Sequence, residues 1–274
     1  MGSEYEESVL AWRQEKERSL RAEEGWLSLA GLLWLGEGEN LAGSGAGCPI
    51  RLPEGAAPEL VGAFDVDGGE VVFRAAPGVA ATSGGERVES LVMRPDTSGA
   101  ATKILVGRLT MALIRRGARL AIRVWDRGSP ARESFPARNW FPIRQAFRFE
   151  ARFQPAEPPR LLRITNVLGD TDEVQSPGCA VFTHNGQEFR LFPSEVEDEE
   201  MFFIFHDLTS GKTTYPAGRY LYTALPSKGV VLLDFNRAYN PPCAFTPYAT
   251  CPLPPEENHL PIAIEAGERH EPRG

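Results

Sequence analysis

The chain opens on an apolar repeat with helical spacing. Tyr5, Val9, Trp12 and Leu20 fall on or near one face of a helix, and Glu15, Lys16, Glu17 and Arg18 supply a solvated face between them. Ser3 and Glu6 stand as an S-x-x-E capping box, in which each side chain satisfies a backbone amide at the helix start. Gly25 offers a stop, because glycine accepts the left-handed conformation that ends helices. The pattern predicts a helix over residues 4–24. Trp26 to Leu35 follows as a buried apolar run whose period does not separate a strand from a short helix.

From Gly36 to Trp125 the pattern turns to short β segments punctuated by glycine and proline. Strands are expected over 60–66, 70–75, 87–93, 104–114 and 118–125, with Asp67-Gly68-Gly69 and Ser83-Gly84-Gly85 as turns. Arg115-Arg116-Gly117 reads as a hairpin tip. Phe135 to Pro159 is transitional, broken by Trp140-Phe141-Pro142 and by Pro155, Pro158 and Pro159. Strand signals then resume over 161–166, 180–184, 188–192, 201–206, 219–223 and 230–235. His184-Asn185-Gly186-Gln187 carries the Asn-Gly pair of a tight hairpin. Glu195 to Glu200 is acidic and reads as a solvated loop.

These segments predict an all-β protein, mainly antiparallel, with an N-terminal α-helix. Residues 1–35 hold the helix and the buried apolar run. Residues 36–135 form a β-sandwich, and residues 136–274 form a C-terminal β-meander with a proline-rich loop. The sandwich outline loosely resembles a forkhead-associated module. No Ser-x-x-His stands where such modules need it to read phosphothreonine, and no Gly-Arg precedes it, so that function is not expected.

Composition narrows the function classes. The 274 residues carry a formal charge of −8 and a pI near 5.2, which argues against nucleic acid as a partner, since phosphate contacts need clustered cations. The first residues show no basic segment followed by an apolar run, and no apolar stretch reaches the length of a membrane span. A cytoplasmic location follows as an expectation, in which Cys48, Cys179, Cys243 and Cys251 are thiols by default.

The densest polar chemistry lies near the C-terminus. Asp234 and Asn236 are two apart, so on a strand they share a face. The apolar run from Val230 to Leu233 before them reads as a central strand. Pro241, Pro242, Pro247, Pro252, Pro254 and Pro255 exclude regular structure from the segment that follows and suit it to form a stiff pocket wall. The plainer reading makes Asn240-Pro241 a turn and Asp234 a strand-end cap. Asp207, Thr209, Ser210 and Gly211 likewise form a good turn set. In the functional reading Asp207, Tyr215 and Arg219 contact a ligand, with Arg219 clamping a carboxylate or phosphate.

His206 with Asp234 and Glu268 makes an acid/base set if the strands converge. Asp234, Asn236 and Glu268 would also suit Mg²⁺ or Ca²⁺. Cys243 and Cys251 lack zinc-finger spacing and read as a loop-pinning disulfide or two buried thiols; a zinc site with His206 and His259 is the remaining option. Phosphate-loop, H-E-x-x-H and G-x-S-x-G motifs are missing, and Ser194, Ser210 and Ser227 have no nucleophile context.

Several of these stretches together resemble a prokaryotic family, domain-of-unknown-function family 1684. They are Gly25 to Leu32, His206 to Tyr215, Gly218 to Leu221, Asp234 to Cys251, Asn258-x-Leu260 and Ala266-Gly267-Glu268. The resemblance spans nearly the whole chain. It implies a shared architecture and brings no established activity.

The leading expectation is therefore a small-molecule enzyme, hydrolase- or lyase-like and without a cofactor. Asp234, Glu268 and His206 would be catalytic. Asn236, Asn240, Arg219, Tyr215, Asp207 and Asn258 would hold the ligand, and Cys243 and Cys251 would be structural. The alternative is a non-catalytic ligand-binding or interaction protein, with or without a structural divalent metal.

Overall fold

A computed structural model describes residues 3–270 and divides the chain into two compact units. One comprises Arg18–Phe135, the other Met1–Glu17 with Pro136–Gly274. The protein is mainly β and mainly antiparallel, with a single long helix among the described residues, α1 (Glu4–Leu20). Its capping box forms: Ser3 Oγ accepts from the Glu6 amide, and Glu6 Oε2 accepts from the Ser3 amide, both at 3.3 Å. The helix stops at Leu20, four residues short of the expected end. Gly25 folds back until a Cβ there would lie 2.4 Å from the Ser19 carbonyl oxygen, a close approach that only glycine permits. The apolar run after it is both of the alternatives in turn: a 3₁₀ turn over Trp26–Ser28, then a strand.

The first unit is a two-sheet sandwich. One sheet contains β1 (Leu29–Trp34), β6 (Ala81–Ser83), β7 (Glu86–Arg87), β9 (Lys103–Val106), β10 (Leu109–Arg116) and β11 (Arg119–Asp126), ordered β1-β11-β10-β9-β6-β7. The other contains β2 (Gly38–Gly43), β3 (Ile50–Arg51), β4 (Gly62–Asp67), β5 (Glu70–Ala75) and β8 (Ser90–Met93), ordered β3-β2-β4-β5-β8. Only the β2–β3 pair of this sheet is parallel. Alternating residues of both sheets, among them Phe64, Phe73, Met111 and Ile122, bury one apolar core. The expected strand 104–114 is two strands, split by a turn at Gly107 (φ +57°). A short helix, α2 (Ala131–Ser134), follows β11.

The second unit is built on a long hairpin, β12 (Arg148–Thr165) and β13 (Thr171–His184). β14 (Gln187–Leu191) and β18 (Val230–Asp234) flank it in the order β14-β13-β12-β18. The transitional segment expected before Arg160 is thus largely strand. Its prolines are tolerated because the ladder skips Ala156–Pro159, where the register shifts between Pro155 and Arg160. Asn185 and Gly186 take φ +51° and +80°, the paired left-handed residues of a tight hairpin.

β18 is an edge strand and not the central one its apolar run suggested. Leu233 and Val231 face the core, whereas Val230 and Leu232 face outward and are about two-fifths exposed. A second sheet holds β15 (Glu195–Glu197), β16 (Glu200–Phe205) and β17 (Arg219–Ala224). The acidic stretch read as a loop is a hairpin turning at Asp198 and Glu199, and its side chains remain exposed. Phe147, Phe182, Phe203, Phe205, Phe235 and Leu260 belong to the core of this unit.

Candidate functional site

Period-two spacing places Tyr220 and Tyr222 on one face of β17. Tyr239 joins them, because its backbone exchanges hydrogen bonds of 2.9 and 3.0 Å with Tyr220. Tyr222 and Tyr239 lie 13° from parallel with centroids 6.5 Å apart, and Phe202 stacks on Tyr222 at 4.6 Å. Helix α1 adds Trp12 and Lys16, four residues apart and so on one helical face. Trp12 meets Tyr239 edge-on at 6.0 Å, and Lys16 Nζ sits 4.2 Å above the Tyr239 ring centroid.

Together with Glu200 and Arg237, these residues line a cavity of about 480 Å³ in the second unit. Arg237 is steadied by Ser8 Oγ at 3.0 Å and by Asp234 at 3.4 Å. Burial, then the nearby Arg138 guanidinium, lowers the Lys16 pKa. Burial raises the Tyr222 hydroxyl, helped by Glu195, Glu200 and Glu197, and drives Tyr239 further up. The tyrosines are therefore neutral hydrogen-bonding walls. The chemistry on offer is aromatic stacking, two cations and one carboxylate.

The residues expected to act do not line this cavity. They form separate, largely closed networks. Asp234 Oδ1 accepts from Tyr5 Oη at 2.8 Å and from the Asn236 amide at 3.2 Å. Asn236 Nδ2 donates to Tyr5 Oη and to the Arg144 carbonyl, both at 2.9 Å, while its Oδ1 accepts from the Arg144 amide. Arg13 reaches the Asn236 carbonyl. This group fastens α1 to the end of β18. Burial is the first cause that raises the Tyr5 pKa, followed by Asp234.

The expected Arg219 clamp exists, but its carboxylate is internal. Arg219 is fully buried and pairs with Asp207 Oδ2 at 3.2 Å, and it also donates to the Ile264 and Ala266 carbonyls. Asp207 accepts in addition from Thr209 Oγ1 at 2.7 Å and from the Ile264 amide at 2.7 Å. A buried arginine with these partners ties the C-terminal segment to β17. Tyr215 is half-buried with its ring edge-on to His270.

Glu268 forms the third network. It accepts from Arg138 at 3.1 Å, with both side chains almost wholly buried, and from the Asn240 amide at 2.8 Å. Burial pushes its pKa up to about 7 against the pull of Arg138 and the Asn240 amide. Gly267 makes the turn that delivers it. It takes φ +77°, and a Cβ would lie 2.4 Å from the Ala238 carbonyl oxygen.

Asn258 is also internal, bridging the Phe192 and Ile204 carbonyls and the Phe192 amide. His206 stacks on His259 at 5.0 Å; burial, then His259, lowers its pKa. No hydrogen bond or ion pair joins Asp234, His206 and Glu268 to one another. No group of three His, Cys, Asp or Glu side chains among the described residues is placed to hold a metal ion. Cys243 and Cys251 form a disulfide with Cα atoms 6.3 Å apart, which replaces both the default thiols and the zinc option. Cys48 and Cys179 are buried free thiols.

Residues 133–269 match the family model described as "Protein of unknown function (DUF1684)". The chain belongs to this family. An uncharacterized protein of Haloarcula marismortui, solved in solution by NMR, is 32% identical. The match covers 50% of this chain and 78% of that one, with a TM-score of 0.42. Two forkhead-associated structures align as well. One, from work on phosphothreonine-dependent interactions, is 18% identical, covers 32% of this chain and 79% of that one, and has a TM-score of 0.25. The other, the FhaA domain complexed with an intracellular domain, is 19% identical, covers 33% and 82%, and has a TM-score of 0.25. None of the curated proteins matches. Among the described residues no helix is long and apolar enough to cross a membrane.

Set against this DUF1684 chain, the sequence reading passed over Trp12, Lys16, Glu200, Tyr222, Arg237 and Tyr239. It assigned Trp12 to a buried face and Lys16 to solvent. The local signals were the period-two Tyr220 and Tyr222 pair and the polar stretch Asp234 to Cys251, which contains Arg237 and Tyr239. Nothing local connects those tyrosines to a helix near residue 12.

Proposed function

We propose that the chain is a non-catalytic binding protein for a small anionic molecule with a flat apolar face, held in the cavity between α1, β17 and Tyr239. The observation that carries this reading is the placement of Lys16 Nζ 4.2 Å above the Tyr239 ring in an aromatic-walled cavity of about 480 Å³ that also contains Arg237. A volume of this size suits a metabolite. The aromatic rings supply stacking area at little entropic cost, and Lys16 with Arg237 supplies charge for a carboxylate or phosphate. Glu200 selects for a hydroxyl or amine on the same ligand. The reading stops at binding, because His206 and Glu268 lie in other networks and Asp234 meets the cavity only through its ion pair with Arg237.

A thermal-shift screen of the full chain against organic carboxylates and phosphates tests it. Compounds that raise the melting temperature should lose that effect in Lys16→Met and Tyr222→Ala, while the ligand-free melting temperature stays near that of the parent. Compounds that stabilise both variants as well as the parent would sink the proposal.

A further inference from the structure

A second cavity, also of about 480 Å³, lies wholly within the first unit. It is lined by Arg21, Arg127, Gly128, Ser129, Pro130, Arg132 and Glu133. The local sequence explains its shape. β11 ends at Asp126, whose Oδ1 accepts from the Gly128 amide at 2.8 Å and pairs with Arg108 at 2.8 Å. That turn is pinned by Ser129 Oγ, which donates to the Leu27 carbonyl at 2.7 Å, and it runs straight into α2.

Three half-buried guanidinium groups are fixed around this turn. Arg132 Nε donates to the Arg21 carbonyl at 2.9 Å, and Arg132 Nη1 donates to the Arg127 carbonyl. Arg21 reciprocates, with Nη1 on the Arg132 carbonyl and Nη2 on the Phe135 carbonyl. Arg127 Nη2 donates to the Gly107 carbonyl at 2.7 Å. Carbonyl oxygens orient these groups and bring no formal charge of their own. Arg132 makes no ion pair among the described residues, and its Nη2 has no protein acceptor there. The carboxylate paired with Arg127 is Glu23, at 3.8 Å. Glu133 is the one acidic residue in the lining.

Holding three cations in one pocket costs Coulomb energy, and an anion bound among them removes that cost. Guanidinium forks match phosphate oxygens in pairs, and here they are preorganised by backbone bonds made before any ligand arrives. We propose that this cavity is a binding site for a small molecule carrying a diphosphate group. It is a separate site from the aromatic cavity, with its own ligand.

The test is isothermal titration of the full chain with inorganic diphosphate at fixed ionic strength, with phosphate and citrate as comparison anions. Diphosphate should bind more tightly than either. Arg127→Gln and Arg132→Lys should each weaken it roughly tenfold or more, since charge-assisted hydrogen bonds of this kind are lost. Arg163→Gln, the same charge change at an exposed arginine of the other unit, should leave the affinity unchanged. Circular dichroism and the ligand-free melting temperature identify any variant that fails to fold, and Arg127→Gln, whose side chain is the less embedded in the clasp, then carries the result. The proposal is overturned by any of four results. These are no diphosphate binding, citrate binding as tightly as diphosphate, equal loss in Arg163→Gln, or diphosphate affinity unchanged in a folded Arg127→Gln.

Discussion

Tyr5 in the first turn of α1 donates its hydroxyl to Asp234 at the end of β18, across 2.8 Å of space and 229 positions of sequence. The phenol also accepts from Asn236 Nδ2, so one oxygen links helix, strand end and the turn beyond it. The helix that supplies Trp12 and Lys16 to the aromatic cavity is held in place from this point.

Tyr5→Phe should therefore cost stability although it removes a single oxygen. It leaves Asp234 short of a donor and Asn236 short of an acceptor in a part-buried site, a loss of about 1–3 kcal/mol. Chemical denaturation should show a lower midpoint with an unchanged slope. A midpoint equal to that of the parent would mean the linkage contributes nothing.

Arg219 should behave as a structural residue. Arg219→Ala leaves the Asp207 carboxylate buried and unpaired, and the expected loss is about 3–5 kcal/mol. Arg219→Lys should rescue little, because a single ammonium does not span Asp207 and the Ile264 and Ala266 carbonyls together. A ligand-binding role predicts the reverse: near-native unfolding and lost ligand affinity.

Glu268 gives a pH dependence of definite sign. Its folded pKa, raised to about 7, stands above the ordinary 4.5, so the folded chain holds a proton there that the unfolded chain has released. The stability this adds is complete below pH 4.5 and is lost as pH rises to about 7. Glu268→Gln does not titrate, so its melting temperature should fall less steeply than the parent's over that window. Parallel curves for the two proteins would show that the carboxyl group is already ionised when folded.

Much of the fold was legible because its signals are local. Ser3 and Glu6 are three apart and cap the same turn. Asn185 and Gly186 are adjacent and set their own hairpin. β18 was misjudged as central because an edge strand with apolar residues on both faces has the same composition as a buried one, and its neighbours are set by pairing elsewhere in the chain.

The candidate site was less legible. Asp207, Asn236, Asn258 and Glu268 were noticed because polar groups crowd stiff backbone. That crowding has two physical causes, ligand recognition and the need to satisfy buried groups in irregular chain, and the sequence looks alike in both cases. Contacts separated them. Each of the four has its hydrogen bonds met by other parts of the chain.

The sequence alone determined the β-rich class, the capped helix, the tight turns and the family, since these rest on residues within a few positions of one another or on the order of motifs along the chain. Tertiary structure alone decided that Lys16 lies over Tyr239, that Arg219 answers Asp207, and that Arg21 and Arg132 clasp each other's carbonyls. Such pairings depend on where distant backbone is brought by packing, and no local pattern of residues encodes that position.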